Sequence, residues 1–302
     1  NNKTSRIYLA ESDDNLSWKK YDNSVPGISD STSSNGRIPL GSAGKLDSVS
    51  ATNPTVIYKD NEYKMWYCGY DGKNRRIAHA TSTDGLTWKK YDNSIPTVSD
   101  TTSTNGRIPN GSEGKIDTVD ACGPEVKWDE DEQIYKMWYS SVDPGYIAMA
   151  TSKDGLNWTK VDNTIPERSD SISTNGRIGN GTEGTRDYKY IRNPSVVKVD
   201  STYHMWYVTE HNAGSQSMGY STSTDGGYTW TKFNNSMDNY FTISNGLSTD
   251  GYLFRGRSGE SVDFNGFGAS SFLFDDNKLY MYVFGINDSN RIQTAVSYDY
   301  LE

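Results

Sequence analysis

The sequence predicts an all-β protein, a β-propeller of four-stranded antiparallel blades, and three observations carry that prediction. First, Asn35-Gly36-Arg37-Ile38 returns as Asn105-Gly106-Arg107-Ile108 and as Asn175-Gly176-Arg177-Ile178, each step 70 residues. Second, Trp18, Trp88, Trp158 and Trp230 keep the same beat, with steps of 70, 70 and 72. Third, short runs alternate aromatic and polar residues and are divided by Gly, Asp and Asn turns, the pattern of a half-buried β-meander. A fixed period of this kind means one supersecondary unit copied, each copy burying its apolar face against the next. Residues present in every copy belong most simply to the scaffold, so function is sought where the copies differ.

Within one copy, Ser50 to Tyr58 reads as a strand and Lys59-Asp60-Asn61-Glu62 as a turn. Tyr63-Lys64-Met65-Trp66-Tyr67-Cys68 is a second strand, Arg76 to Ser82 a third, and Thr87-Trp88-Lys89-Lys90-Tyr91 a fourth. Matching pieces begin at Gly123-Pro124-Glu125 and at Asn193-Pro194-Ser195, and a looser set runs from Ser270 to Ala295. Arg6 to Trp18 supplies only the last two strands of a unit. The tally of 17 strands divides neatly into neither four nor five blades; five is favoured, with the terminal strands closing the ring. The chain, residues 1–302, is read as a single propeller domain of about 70-residue repeats.

Composition narrows the function classes. The 22 Tyr, 8 Trp and 8 Phe supply aromatic area in a chain only 33% hydrophobic, which suits short strands better than buried helices. A net charge of −9 argues against binding nucleic acid through counterion release. No apolar run of about 18 residues is present, so no membrane insertion is expected. Richness in Asn, Ser, Thr and Tyr points to a secreted or cell-surface protein. Cys68 and Cys122 both lie in apolar or aromatic strands and are expected to be buried free thiols. Zinc is not expected from three scattered histidines, His79, His204 and His211. Nothing in the pattern sets the oligomeric state.

The run Tyr63-Lys64-Met65-Trp66-Tyr67 followed by Arg76 to Trp88 resembles the five-bladed propellers of the arabinanase, levansucrase and invertase superfamily of glycoside hydrolases. The resemblance covers nearly the whole chain. The turns Ser82-Thr83-Asp84-Gly85-Leu86-Thr87-Trp88 and Ser223-Thr224-Asp225-Gly226-Gly227-Tyr228-Thr229-Trp230 resemble the Asp-box of sialidases. Asp there is expected to accept backbone N–H groups across a tight hairpin while Gly takes the positive φ. The resemblance implies carbohydrate as partner and substrate. It also implies carboxylates at the starts of the innermost strands, in Asp-Pro, Arg-Asp-Pro and Glu-Gly-Pro or Glu-Cys-Pro. Here those positions read Asn53-Pro54, Arg192-Asn193-Pro194 and Cys122-Gly123-Pro124, so all three carboxylates are absent.

Symmetry breaking supplies substitutes. Asp120 stands where sister copies have Ser50 and Tyr190, and Glu125 where they have Thr55 and Ser195. Glu210-His211 replace Tyr70-Asp71 and Val142-Asp143. Asp120, Glu125 and Glu210 are therefore the candidate catalytic acid and base groups, since glycoside hydrolysis normally needs two facing carboxylates. Arg192 and His211 are candidates to orient substrate. The long inter-blade connections add Arg107 and Arg177, with Arg37, and the recurring Asp117 and Asp187, with Asp47, as candidate ligand contacts. The competing scaffold reading pairs each of these arginines with the recurring aspartate to pin its own loop, and pairs Glu125 with Lys127 or Lys136. Calcium is a possible cofactor, held through Asp47, Asp117, Asp187 and Asp263, although no local loop has a calcium-motif spacing. Three functions stay open: a glycoside hydrolase on a poly- or oligosaccharide, a non-catalytic glycan-binding module, and, more weakly, a sialidase.

Overall fold

A computed structural model describes residues 4–141, 145–212, 215–233, 267–275, 278–285 and 292–297. Every described regular element is a strand, and every sheet pairs antiparallel. The chain divides into two compact units, one built from residues 1–143 and 148–164, the other from 144–147 and 165–302.

In the first unit, β1 (Ala10–Glu11) and β2 (Lys19–Lys20) form a two-stranded sheet. The next sheet runs in order β3 (Ser50–Lys59), β4 (Glu62–Tyr70), β5 (Arg75–Ser82), β6 (Lys89–Lys90). The strands end within two residues of the bounds expected from turn chemistry, because Asp60 and Asn61 take positive φ at the first hairpin (+56° and +60°), as Asn and Asp tolerate. A five-stranded sheet follows, ordered β7 (Thr102–Ser103), β11 (Trp158–Lys160), β10 (Ile147–Ser152), β9 (Ile134–Ser140), β8 (Cys122–Asp129).

The second unit repeats that order with β12 (Ile172–Ser173), β16 (Trp230–Lys232), β15 (Ser215–Ser223), β14 (Thr202–Asn212) and β13 (Tyr190–Val199). Its other sheet is β17 (Phe267–Asp275), β18 (Lys278–Gly285) and β19 (Ile292–Ser297).

The fifth strand of the larger sheets is absent from the four-strand expectation. The long connections are not structureless: each lays a short stretch along the outer strand of the sheet that follows it in sequence. Thr102–Ser103 pairs with Trp158 and Thr159, Ile172–Ser173 with Thr231 and Trp230, and Thr32 bridges Lys89. Further on, the loop isoleucines Ile38, Ile108 and Ile178, all fully buried, bridge Ile7, Ile77 and Ile147. The Asn-Gly step makes this possible. Asn105 (φ +59°) and Gly106 (φ +69°) are both left-handed, and a Cβ on Gly106 would stand 2.5 Å from His79.

Cores form around the repeated aromatics. Trp66, Trp138 and Trp158 are buried in the first unit, and Trp206 and Trp230 in the second. Trp18 keeps the sequence beat but is 49% exposed, because its sheet has only the two short strands β1 and β2 to cover it. The hairpin before each Trp is closed as the sequence implies: Asp84 Oδ1 accepts the N–H groups of Leu86 (2.8 Å) and Thr87 (2.6 Å), and Trp88 Nε1 donates to Gly85 O at 2.9 Å. Those backbone N–H groups hold the exposed Asp84 carboxyl down at about 2.

Candidate functional site

The starts of β3, β8 and β13 share one irregularity. Pairing with the neighbouring strand slips between Thr52 and Thr55, between Cys122 and Glu125, and between Arg192 and Ser195. The residue before each proline is left-handed there: Asn53 at +49°, Gly123 at +55°, Asn193 at +52°. Proline cannot donate to the ladder and is tolerated at such a bulge, while Gly and Asn adopt the positive φ at least cost. Asn53, Gly123 and Asn193 thus satisfy a backbone requirement; Asn53 and Asn193 do so at places where the resembled hydrolases carry acids, and Gly123 one residue after such a place.

The three candidate carboxylates each have a cation beside them. Asp120, buried, accepts the Arg75 backbone N–H at 2.8 Å and Arg75 Nη1 at 3.2 Å, while Arg75 lies 4.8 Å over the Tyr70 ring. Asp120 therefore fastens the entrance of β8 to the start of β5. Glu125 pairs with Lys127 at 2.9 Å, the scaffold partner anticipated from sequence. Glu210 Oε2 lies 3.9 Å from Arg192 Nη2, both part-buried, across the pairing of β13 with β14. Arg192 and Glu210 are the two candidates the fold brings together in the second unit. Asp120 and Glu125 belong to the first unit, and the side chain of His211 lies outside the described residues.

Arg37 and Arg107 do not pair with Asp47 and Asp117, which corrects the expected pairing for those two loops. Arg107 Nη1 binds Asp92 at 3.0 Å and the Ser94 carbonyl at 2.9 Å, and Arg37 makes the same contact to Asp22 at 3.1 Å. Arg177 Nε reaches the Thr174 carbonyl at 3.4 Å. Arg107 follows β7, the edge of its sheet opposite β8, so sheet order separates it from Glu125.

The recurring aspartates instead face buried lysines. Lys90 Nζ donates to Asp47 (2.7 Å), the Ser29 carbonyl (2.9 Å) and the Pro39 carbonyl (2.8 Å), which uses all three of its protons. Lys160 repeats this with Asp117 (2.6 Å), Ser99 and Pro109, and Lys232 with Asp187 (2.7 Å), Ser169 and Gly179. Tyr67 and Tyr139 donate to Asp47 and Asp117 at 2.9 Å. Burial, then the adjacent carboxylate, pushes both phenols well above their ordinary range, and burial pulls the Lys160 ammonium down against the pull of Asp117.

Asp117 and Asp187 are fully buried and present no surface to a ligand. They were candidate contacts because their spacing repeats, and the same repetition in Lys90, Lys160 and Lys232 was the overlooked signal. An ammonium also fills the place where calcium was considered. Among the described residues no group of three or more His, Cys, Asp or Glu side chains is placed to hold a metal ion. Asp263 lies outside the described residues.

The cysteines require a correction. Cys68 and Cys122 are not thiols but a disulfide, with Cα atoms 4.9 Å apart, joining β4 to β8. The two residues belong to different copies, so only the packing of one sheet on the next brings them together. Cys122 stands at the position of the general acid in the resembled hydrolases, one residue before the Gly123 bulge.

Residues 21–183, more than half of the chain, match the model of glycoside hydrolase family 130, described as beta-1,4-mannooligosaccharide phosphorylase. The chain belongs to that family. An uncharacterised protein of Mycobacterium tuberculosis, Rv1502, is 30% identical over 131 residues, 41% of this chain and 38% of its own length. The chain thus spans about two fifths of the length of the curated relatives it matches. Among solved structures, a glycosyl hydrolase from Bacteroides ovatus superposes with a TM-score of 0.63 at 15% identity, covering 97% of this chain and 75% of that one. A family 117 glycoside hydrolase from Zobellia galactanivorans gives 0.55 at 14% identity, covering 87% and 70%. Family membership puts the chain in the propeller glycoside hydrolase superfamily, and the structural likeness shows a shared fold. The match agrees with the carbohydrate-active, glycoside hydrolase class expected from the sequence, and the family description itself names a phosphorylase.

Proposed function

We propose that this family 130 protein is a single five-bladed propeller that cleaves β-1,4-linked manno-oligosaccharides by transfer to inorganic phosphate. The observation that supports this best is the loose ion pair Arg192–Glu210 at the start of β13, beside the Asn193 bulge. A two-carboxylate hydrolase needs a second acid to activate water; a phosphorolytic site needs one acid and a cation for the incoming anion. The Arg192 guanidinium lies 3.9 Å from the Glu210 carboxyl, so a cation and an acid stand side by side. A phosphate bound to Arg192 is held beside Glu210, which in its protonated form serves as the general acid. Phosphate oxygen then attacks the anomeric carbon, the glycosidic C–O bond breaks, and Glu210 passes its proton to the departing oxygen. The products are a sugar 1-phosphate and a shortened oligosaccharide.

The test is incubation of β-1,4-mannotriose with and without inorganic phosphate, following sugar 1-phosphate and reducing sugar. Release that depends on phosphate and falls by at least about 100-fold in Glu210→Gln is the expected result. Phosphate-independent release of reducing sugar would overturn phosphorolysis in favour of hydrolysis.

A second reading, a non-catalytic glycan-binding propeller, is favoured by one observation. Asn53, Cys122 and Asn193 occupy the superfamily's acid positions, and Cys122 is tied up in the disulfide. Saturable binding of the triose without turnover under either condition would establish that reading. The disulfide also supports the proposal that the protein works in an oxidising compartment, secreted or at the cell surface, since cytosolic thiols are kept reduced.

A further inference from the structure

The inter-blade loop of the second copy encloses a cleft of about 320 Å³, lined among others by Pro96, Thr97, Val98, Thr104, Arg107 and Pro109. That volume is at the lower end of ordinary small-ligand sites. The other copies differ here in ways that matter. The third copy has Gly179 in place of Pro109, and a Cβ there would lie 2.9 Å from the Pro166 ring and 3.0 Å from the Glu167 carbonyl. Residues 166 and 167 therefore press against their own loop and leave no comparable space. Arg168, the counterpart of Val98, folds back to donate to the Gly181 and Tyr188 carbonyls at 2.7 and 2.6 Å. In the first copy the counterpart of Thr97 is Gly27, whose Cβ position meets nothing within 4 Å, so the wall formed by Thr97 is missing.

The lining has the chemistry of a sugar subsite. Pro96 and Val98 offer aliphatic surface to the C–H face of a pyranose. The hydroxyls of Thr97 and Thr104 make no side-chain hydrogen bond among the described residues, and both residues are exposed. Arg107 is 8% exposed and held rigid, with Nη1 on Asp92 and Ser94 and Nε directed at the Thr104 carbonyl at 3.5 Å. Its Nη2 makes no hydrogen bond among the described residues. In the first copy, by contrast, Arg37 Nη2 is directed at Ser34 Oγ at 3.5 Å. Because Asp92 matches the Arg107 charge at 3.0 Å, the site suits a neutral polyhydroxyl ligand over a phosphate.

We infer that this cleft, formed within the first unit, is a second saccharide-binding site, built from residues other than Arg192 and Glu210, that holds a stretch of a neutral oligosaccharide. Only the choice of a mannan-type probe rests on the proposed function. The test is calorimetric titration of β-1,4-mannohexaose into Arg192→Ala protein, which disables the inner-strand site, and into the same protein carrying Thr97→Glu and Val98→Arg. These two changes import the residues of the third copy, and an unchanged Tm checks that the fold persists. The expected result is saturable binding to Arg192→Ala that weakens at least tenfold on adding the loop changes and is unaffected by 10-fold excess inorganic phosphate. Loss of all binding in Arg192→Ala alone would overturn the inference, as would binding indifferent to the loop changes or displaced by phosphate. Absence of turnover with hexaose binding still sensitive to Thr97→Glu and Val98→Arg would defeat the phosphorylase proposal and leave this site standing.

Discussion

Breaking the Cys68–Cys122 bridge is expected to lower stability by an amount the structure allows to be worked out. The bridge spans 54 residues of sequence and ties two sheets of the first unit. In the chain-entropy account, freeing a loop of that length returns about 4 kcal/mol of conformational freedom to the unfolded chain at 25 °C. For a chain of 302 residues the unfolding entropy is about 0.6 kcal/mol per kelvin, so Tm should fall by about 7 °C. The perturbation is the double variant Cys68→Ser, Cys122→Ser, or reduction of the native protein during unfolding, followed by scanning calorimetry. Thiol titration of the denatured native protein should find no free thiol before reduction and two after it. Equal midpoints for the oxidised protein and the double variant would refute the assignment of the bridge as a staple between sheets.

Two further outcomes follow from buried charges. Lys160→Met leaves Asp117 buried without its cation and strips the Ser99 and Pro109 carbonyls of their donor, a change expected to cost about 3–5 kcal/mol in urea denaturation. Adding Asp117→Asn should restore part of that loss, and a single variant as stable as the parent would contradict the placement of Lys160. His79 is buried, and its imidazole is pulled down to about 4 from 6.5, chiefly by burial. The unfolded chain therefore takes up a proton near pH 6.5 that the folded protein refuses until about pH 4. Stability is whole above pH 6.5 and declines below it, by up to about 1.4 kcal/mol per pH unit. Replacing His79 by Met, the residue at the same place in the next copy (Met149), should remove that slope between pH 6.5 and 4.5 in parallel urea titrations.

The strands were legible because each is bounded by local chemistry. Asp60-Asn61 turns the chain within one hairpin, and Tyr63 to Cys68 alternates faces without reference to anything distant. The short strands β7 and β12 were illegible for the opposite reason. Two residues of Thr, Ser or Ile carry no period, and their pairing is fixed by a partner more than 50 residues further on. At the candidate site, the uneven distribution of carboxylates among the copies could be read, but their partners could not. Arg75 reaches Asp120 only because one sheet packs beside the next, and the same packing hid the disulfide. Asn53 and Asn193 looked like lost acids; in the fold they are also solutions to a backbone problem.

The latch that each loop makes has a consequence for how such a chain can grow. Lys90 is clasped by Ser29, Pro39 and Asp47, which lie 61, 51 and 43 residues before it, and Lys160 and Lys232 repeat these separations to within two residues. All of them are shorter than the 70-residue period. A tandem duplication of one period therefore carries a new lysine and its acceptors together, wherever in the repeat the crossover falls. Unequal recombination could lengthen or shorten the array without orphaning a buried charge, so the copy number is open to genetic drift in a way that the interior of an ordinary domain is not.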